Sequence, residues 1–406
     1  MNCNKTLNDY SERKKMKIKN LQIIGVGGIK SLELNFNDGF NVICGANGVG
    51  KTTILNTIAD SFTNTWGSIK RNSAFKEGRY TLNYTNCQGE VENKTLQVKE
   101  FDPDKHDSGR YASDESTYVM MFGIDRIINY KSLEAIPKDP KRSIYDSGNL
   151  LSDGIKVSDL KGWFVNRYVF ADKEDSMSEK QKINFDVAKK AFGLLDPSTK
   201  FLTVDSSTLD IKLKTSRGDI YFEYLSAGYK TCIYLVLGIL KEIEFRFKSP
   251  YMDATEFDGV IMIDEIDLHL HPTWQAKLID TLRILFPVAQ FIVTTHSPSI
   301  LQTLNPEEII PLGMEEDGNV YIKKLNLGEY GLQGWTLEEI LKDVMEMPTT
   351  NSKKFEEVKR KFDDAMDAMD ISQIKENYDI LQKMLHIDNP LRKLLEIQMI
   401  GLEETE

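Results

Sequence analysis

The sequence predicts an α/β protein: a mixed-sheet core with an antiparallel β subdomain and a helical lobe, followed by a C-terminal helical region. Three observations carry that expectation. Apolar and polar residues alternate through "MKIKNLQIIGVGGIKSLELNF" around a Gly-rich break, which is the period of two antiparallel strands joined by a turn. A glycine-rich loop joins an apolar run to a helical pattern in "GFNVICGANGVGKTTILNTIADSF". A second apolar run, "FDGVIMIDE", closes on two acids, as a parallel strand delivers carboxylates to one end of a doubly wound sheet.

Composition bounds the rest. At 406 residues the chain has room for one large domain with insertions or for two domains, and 41% hydrophobic with 28% charged residues is the balance of a globular protein. Four cysteines, Cys3, Cys44, Cys87 and Cys232, lie far apart with no CxxC pair, so neither a zinc knuckle nor a disulfide framework is suggested, and a reducing cytoplasm fits best. The first residues are polar and lack the apolar core of a signal peptide, and no stretch is long and apolar enough to span a bilayer; a soluble protein without a membrane partner is expected. A net charge of -11 argues against a uniformly basic coat for nucleic acid, although a local basic stripe on an acidic protein can still bind phosphates. The expected organisation is an N-terminal extension at 1–15, a main domain at 16–325 with a helical insertion lobe at about 90–220, and helices at 326–406.

Phe40 to Cys44 reads as a buried strand, and Ile54, Leu55 and Ile58 fall at helical spacing, so Gly45 to Thr52 is a strand-to-helix loop. It matches G-x-x-x-x-G-K-[ST] in the context that motif requires. Gly45, Gly48 and Gly50 let the backbone turn its N–H groups toward a phosphate at the positive end of a helix. Lys51 then reaches the β and γ phosphates of a nucleotide, and Thr52 offers a hydroxyl to Mg²⁺, a cation that takes few protein ligands. Opposite the loop, Asp264 at the end of the second apolar run orients the Mg²⁺ shell, and Glu265 is placed to take a proton from water. His269 and His271 stand two apart and would share a face on a strand, so zinc is conceivable, but no third and fourth ligand is in view. His271-Pro272 reads instead as the start of a helix whose apolar face is Trp274, Leu278, Leu282 and Leu285.

Two further segments give the order of motifs its meaning. "YLSAGYKT" (224–231) precedes an apolar helix from Cys232 to Ile243, and "QFIVTTHSPSIL" (290–301) is a buried strand ending in a histidine. With the loop and the "VIMIDEIDLHLHP" strand, residues 16 to 325 resemble the ATP-binding-cassette ATPases of the SMC and RecF type, which have a P-loop NTPase head. The resemblance implies an ATP-dependent head-to-head dimer. In it, Asn47, Gly48, Gly50, Lys51, Thr52 and Thr53 hold ATP and Mg²⁺, while Ser226 and Gly228 of one protomer close on the γ phosphate held by the other. Asp267 lies on the loop that contacts the second protomer, and His296 matches the histidine that senses the γ phosphate. A serine hydroxyl, a glycine and a helix N-terminus do form an anion site of their own.

The departures are informative. Leu225-Ser226-Ala227-Gly228-Tyr229-Lys230 is not the LSGGQ of membrane transporters, no glutamine stands between Trp66 and Tyr84, and Gln88 falls in the hairpin tip "NCQGE". No heptads are sustained long enough for a coiled-coil arm. "KEFDPDKHDSGRYASDEST" (99–117) reads as a mobile loop, "VSDLKGWF" through "AFGLL" as helical lobe, and "EEIIPLGMEEDGNVYIKKL" as a hairpin. After it, Phe355, Val358, Phe362, Met366 and Met369 recur at near-helical spacing, a stripe read as core. "VIMIDEIDLHLHPTWQ", "FPVAQFIVTTHSPSIL" and "VSDLKGWF" look like the stand-alone ATPases of bacterial anti-phage systems of the Septu type, which implies a separate effector chain, an HNH nuclease, gated by the ATPase. The residues after 325 leave no room for the Toprim nuclease of the related overcoming-lysogenization-defect ATPases. A basic cluster, Lys70, Arg71, Lys76 and Arg79, offers a possible DNA phosphate contact. Two other functions stay open: a RecF-like DNA repair clamp, and an ATP-gated scaffold with little turnover.

Overall fold

The computed structural model describes residues 16–126, 130, 132–156 and 159–403; the N-terminal extension and the Val157-Ser158 start of one quoted motif lie outside the described residues. The alternating opening segment forms the hairpin β1 (Lys17–Val26) and β2 (Ile29–Asn35). Phosphate-loop strand β3 (Phe40–Gly45) and helix α1 (Lys51–Asp60) follow, then the two-residue β4 (Trp66–Gly67) and the hairpin β5 (Gly78–Thr85) and β6 (Val91–Val98), with Gln88 in its tip. Strands β2-β1-β5-β6 make one antiparallel sheet. Ile18, Leu21, Ile23, Leu34, Tyr80 and Leu82 fill its inner face, while Asn20, Asn35, Asn83 and Asn93 are linked side by side across the other.

The 99–117 segment is more structured than a loop. It carries β7 (Asp107–Gly109), paired with β4, and a 3-10 turn at Asp114–Thr117. Polar side chains do the ordering: Asp107 is buried and accepts from the Lys99 N–H at 3.0 Å, and Ser116 is buried and donates to the Phe62 carbonyl at 2.6 Å. Next comes β8 (Val119–Phe122), which pairs in parallel with β12 (Val260–Ile263), so the chain at 119–122 belongs to the core sheet and not to a helical insertion. The helical lobe proper starts later, with α2 (Ile144–Asp153), α3 (Leu160–Phe170) and α4 (Glu179–Leu195). It closes with the small antiparallel sheet β9 (Lys200–Val204), β10 (Ile211–Thr215) and β11 (Gly218–Tyr221), followed by α5 (Ala227–Arg246). Fully buried Glu244 ties these helices together, accepting from Trp163 at 2.9 Å, Arg167 at 2.7 Å and Asn184 at 3.1 Å.

The core sheet is completed by β13 (Gln290–Thr294), β14 (Ile309–Met314) and β15 (Val320–Ile322), in the order β15-β14-β3-β13-β12-β8, all parallel except β15. Strands β8 and β12 are wholly apolar and buried because both of their faces are covered, whereas the edge strand β15 leaves Tyr321 and Ile322 exposed. Val260, Met262 and Ile292 face the β subdomain and α1; Ile261, Ile263, Phe291 and Val293 face the helical lobe with α6 (Pro272–Leu285). Short α7 (Pro298–Leu301) follows β13, and α8 (Leu337–Glu339) runs into a π turn at Ile340–Val344. The main unit ends at Glu346, because Leu332, Ile340, Val344 and Met345 join its core, so residues 326–346 belong to it and not to the C-terminal helices. The second unit, residues 347–406, holds α9 (Lys353–Asp367), α10 (Ile371–Met384) and α11 (Pro390–Glu403) around Val358, Phe362, Ile374, Leu381 and Leu395. Phe355 and Met366 of the predicted stripe pack there as well; Met369, past the end of α9 with φ 54, is exposed.

Candidate functional site

The site is built where β3, β12 and β13 end together. Gly45 closes β3 with φ 139, and a Cβ there would stand 2.3 Å from the Leu312 carbonyl of β14, so only glycine lets the loop leave the sheet at that point. Gly48 and Gly50 take left-handed φ values of 82 and 88, and Gly50 is the N-cap of α1. Asn47 and Gly48 are exposed at the loop crest. Lys51 is buried, and its ammonium donates to the carbonyls of Gly45 at 2.9 Å and Ala46 at 2.7 Å. Burial pulls its pKa below the ordinary lysine value, against the pull of Cys44, Asp264, Glu265 and Asp267. Thr53, on the first turn of α1, is half-buried, with its methyl 3.0 Å from where a Cβ on Gly27 would stand.

Thr52 donates its hydroxyl to Asp264 at 2.9 Å, which joins the loop to the end of β12. Thr294, at the end of β13, donates to the other Asp264 oxygen at 2.6 Å and accepts from the Glu265 N–H at 2.7 Å. Glu265 adopts φ 47, an uncommon conformation for a residue with a side chain. Its carboxylate makes no hydrogen bond or ion pair among the described residues. Beyond it, the Asp267 carboxylate accepts from the Thr295 hydroxyl at 2.6 Å and the His296 N–H at 3.2 Å, so within this chain it braces the end of β13. The His296 imidazole is held below the usual histidine value by burial and then by Lys51.

The Ser226 signature stands apart from this cluster. Ser226 is the N-cap of α5, exposed, and its Oγ accepts from the Tyr229 N–H at 3.4 Å. A Cβ on Gly228 would meet Trp274 at 3.1 Å, and the Tyr229 and Trp274 rings pack edge to face at 5.1 Å, so the starts of α5 and α6 touch. His271 caps α6 as the sequence suggested. His269 and His271 lie in the turn before α6, with His269 at φ 63, so the shared strand face a zinc pair needs is not formed. Lys70 and Arg71 of the basic cluster are bound to backbone: Lys70 to the Lys105 carbonyl, Arg71 to those of Lys99 at 3.0 Å and Phe75 at 2.8 Å. Lys76 and Arg79 are exposed.

Sequence reasoning missed three participants. Thr294 and Thr295 sat inside a run read simply as buried strand. Arg126 followed a run assigned to the insertion lobe, yet it is buried and donates to the carbonyls of Asp264 and Glu265. The apolar "VMMF" before it, as continuous as "VIMI", was the signal for a second core strand.

The family described as "AAA domain, putative AbiEii toxin, Type IV TA system" matches residues 40–302, from the phosphate-loop strand past His296. Septu protein PtuA of Bacillus thuringiensis is 42% identical over 391 residues, 94% of this chain and 97% of that protein. Septu protein PtuA of Bacillus mycoides is 26% identical over 317 residues, 75% of this chain and 42% of that longer protein. The SMC head domain from Thermotoga maritima, at 16% identity and a TM-score of 0.44, covers 77% of this chain and 100% of that one. With the family match running through every motif of the site, and identity to the Septu protein PtuA sustained along nearly the whole of both chains, this chain belongs to that AAA-domain family and to the family of PtuA.

Proposed function

We propose that this chain is a cytoplasmic ATPase that dimerises head to head around ATP and Mg²⁺, hydrolyses ATP at sites shared between the two copies, and by that cycle gates a separate effector chain, an HNH nuclease, in bacterial anti-phage defence. The observation that supports it most is the Thr52–Asp264–Thr294 chain, which fixes phosphate loop, acidic strand end and Glu265 in one cluster. The donor set suits magnesium: a hydroxyl and a carboxylate, both hard oxygen ligands, leave the remaining positions for phosphate and water. Mg²⁺, when bound, supplies charge that offsets what develops on the transferred phosphoryl oxygens.

The residues divide the work. Lys51 would exchange the Gly45 and Ala46 carbonyls for β and γ phosphate oxygens, and the N-terminus of α1 with its free first-turn amides favours an anion beside it. Glu265 takes the proton of the attacking water, for which its carboxylate is not engaged elsewhere among the described residues. His296, half-buried just past β13, offers a ring N–H to the γ phosphate. Exposed Ser226 and half-buried Gly228, at the start of a 20-residue helix, present an anion site to a second copy, and Asp267 sits on the facing loop. A DNA-clamp role has less support, since Lys70 and Arg71 already serve the fold and only Lys76 and Arg79 face outward. Glu265→Gln tests the proposal: turnover should fall about 100-fold or more while ATP binding by calorimetry persists. Turnover equal to the parent's would remove Glu265 as the base, and no turnover in the parent itself would leave the scaffold.

A further inference from the structure

Arg126 lies just past β8 and is 4% exposed, yet among the described residues it pairs with no carboxylate. Among the described residues its hydrogen bonds all go to carbonyls: Nε to Gly123 at 2.9 Å, one Nη to Glu265 at 3.2 Å, the other to Asp264. A buried guanidinium held by backbone carbonyls is costly to keep, and burial draws its pKa down to about 10. What it holds explains the expense. In an extended strand successive carbonyls point to opposite sides, so the carbonyls of residues 264 and 265 can converge on one planar fork only if residue 265 leaves the extended conformation. Glu265 does so, at φ 47. From the other side Thr294 fixes the same turn, accepting from the Glu265 N–H at 2.7 Å through its hydroxyl and from the Ile266 N–H at 2.9 Å through its carbonyl.

We propose that Arg126 is a positioning residue for hydrolysis: its guanidinium clamps the Asp264 and Glu265 carbonyls and so holds Glu265 in the left-handed turn that aims its carboxylate at the phosphate site. The proposal rests on Glu265 being the base. Arg126→Met keeps the bulk and removes every donor; Arg126→Lys keeps the charge and loses the fork. In both, turnover should fall at least about tenfold, less for Lys, while ATP affinity stays within about twofold. Amide exchange in the 264–268 peptide, read by mass spectrometry without nucleotide, should quicken at least about tenfold while that of β13 holds. If Arg126→Met shows no cooperative unfolding, Arg126→Lys carries the test. Parental turnover with parental exchange overturns the clamp, and so does a loss of ATP affinity in step with turnover at unchanged exchange, which would make Arg126 a nucleotide ligand. Glu265→Gln run alongside separates the layers: if it stalls while Arg126→Lys behaves as the parent, only the clamp falls; if it turns over normally, the base assignment falls and the exchange data still decide the clamp.

Discussion

Thr294→Val isolates the hydroxyl that joins the two acids. Valine nearly matches threonine in shape, so the fully buried site keeps its packing, but two bonds go: the 2.6 Å donation to Asp264 and the 2.7 Å acceptance from the Glu265 N–H. A hydrogen bond to a charged group contributes about 1.5–3 kcal/mol, and a buried N–H left unpaired costs about 1–3 kcal/mol. The sum is roughly 2.5–6 kcal/mol of stability, which at about 2 °C per kcal/mol for a unit of this size lowers the melting temperature by roughly 5–12 °C. Turnover should fall as well, because Glu265 loses one of its two backbone anchors and Asp264 its second donor. Thr294→Ser keeps the hydroxyl and should retain most of both properties. Calorimetric melting and steady-state ATP turnover of the three proteins give the answer. A Thr294→Val protein that melts within about 1 °C of the parent and turns over normally would show that this hydroxyl does not organise the site.

Two other outcomes follow from the same geometry. Lys51→Ala should weaken ATP binding more than a hundredfold by calorimetry, since two charge-assisted bonds of about 1.5–3 kcal/mol each are lost, while the melting temperature of the nucleotide-free protein changes little because a costly buried cation goes with them. His296 has a folded pKa below its unfolded value of about 6.5, so the unfolded chain binds the proton more readily and stability is lost as pH falls from near 6.5 toward the lower folded value; His296→Asn should flatten that part of the denaturation-midpoint profile, and an unchanged slope would speak against it.

Much of the site was legible because phosphate chemistry constrains residue type and order together. Gly45, Gly48, Gly50, Lys51 and Thr52 sit on a strand-to-helix junction, and Asp264 and Glu265 follow directly on the parallel strand that their apolar approach implied, in the turn after it. What stayed hidden was whatever depended on pairing between distant segments. Nothing local in "VMMF" says that it pairs with "VIMI", so the insertion lobe was drawn too early and Arg126 went with it. The 99–117 segment is rich in charge and turn residues, yet buried Asp107 and Ser116 use that polarity to pair with backbone, which composition cannot distinguish from solvation. His271-Pro272 was legible as a helix start, because proline suits the first turn of a helix, but the positive φ at His269 belongs to a turn that only the fold reveals.

The central claim is that each ATP is closed by two copies of this chain, and a crosslink tests it most directly. With Cys3 and the half-buried Cys87 replaced by serine, Asn47→Cys at the exposed loop crest and Ala227→Cys at an exposed position within the signature are introduced into the Glu265→Gln protein, which should hold ATP without cleaving it. A short bifunctional thiol reagent should then join residue 47 of one chain to residue 227 of another, only when ATP and Mg²⁺ are present, and the species should run as a covalent dimer. A link formed within one chain, or a dimer whose yield is the same without nucleotide, would contradict the shared site.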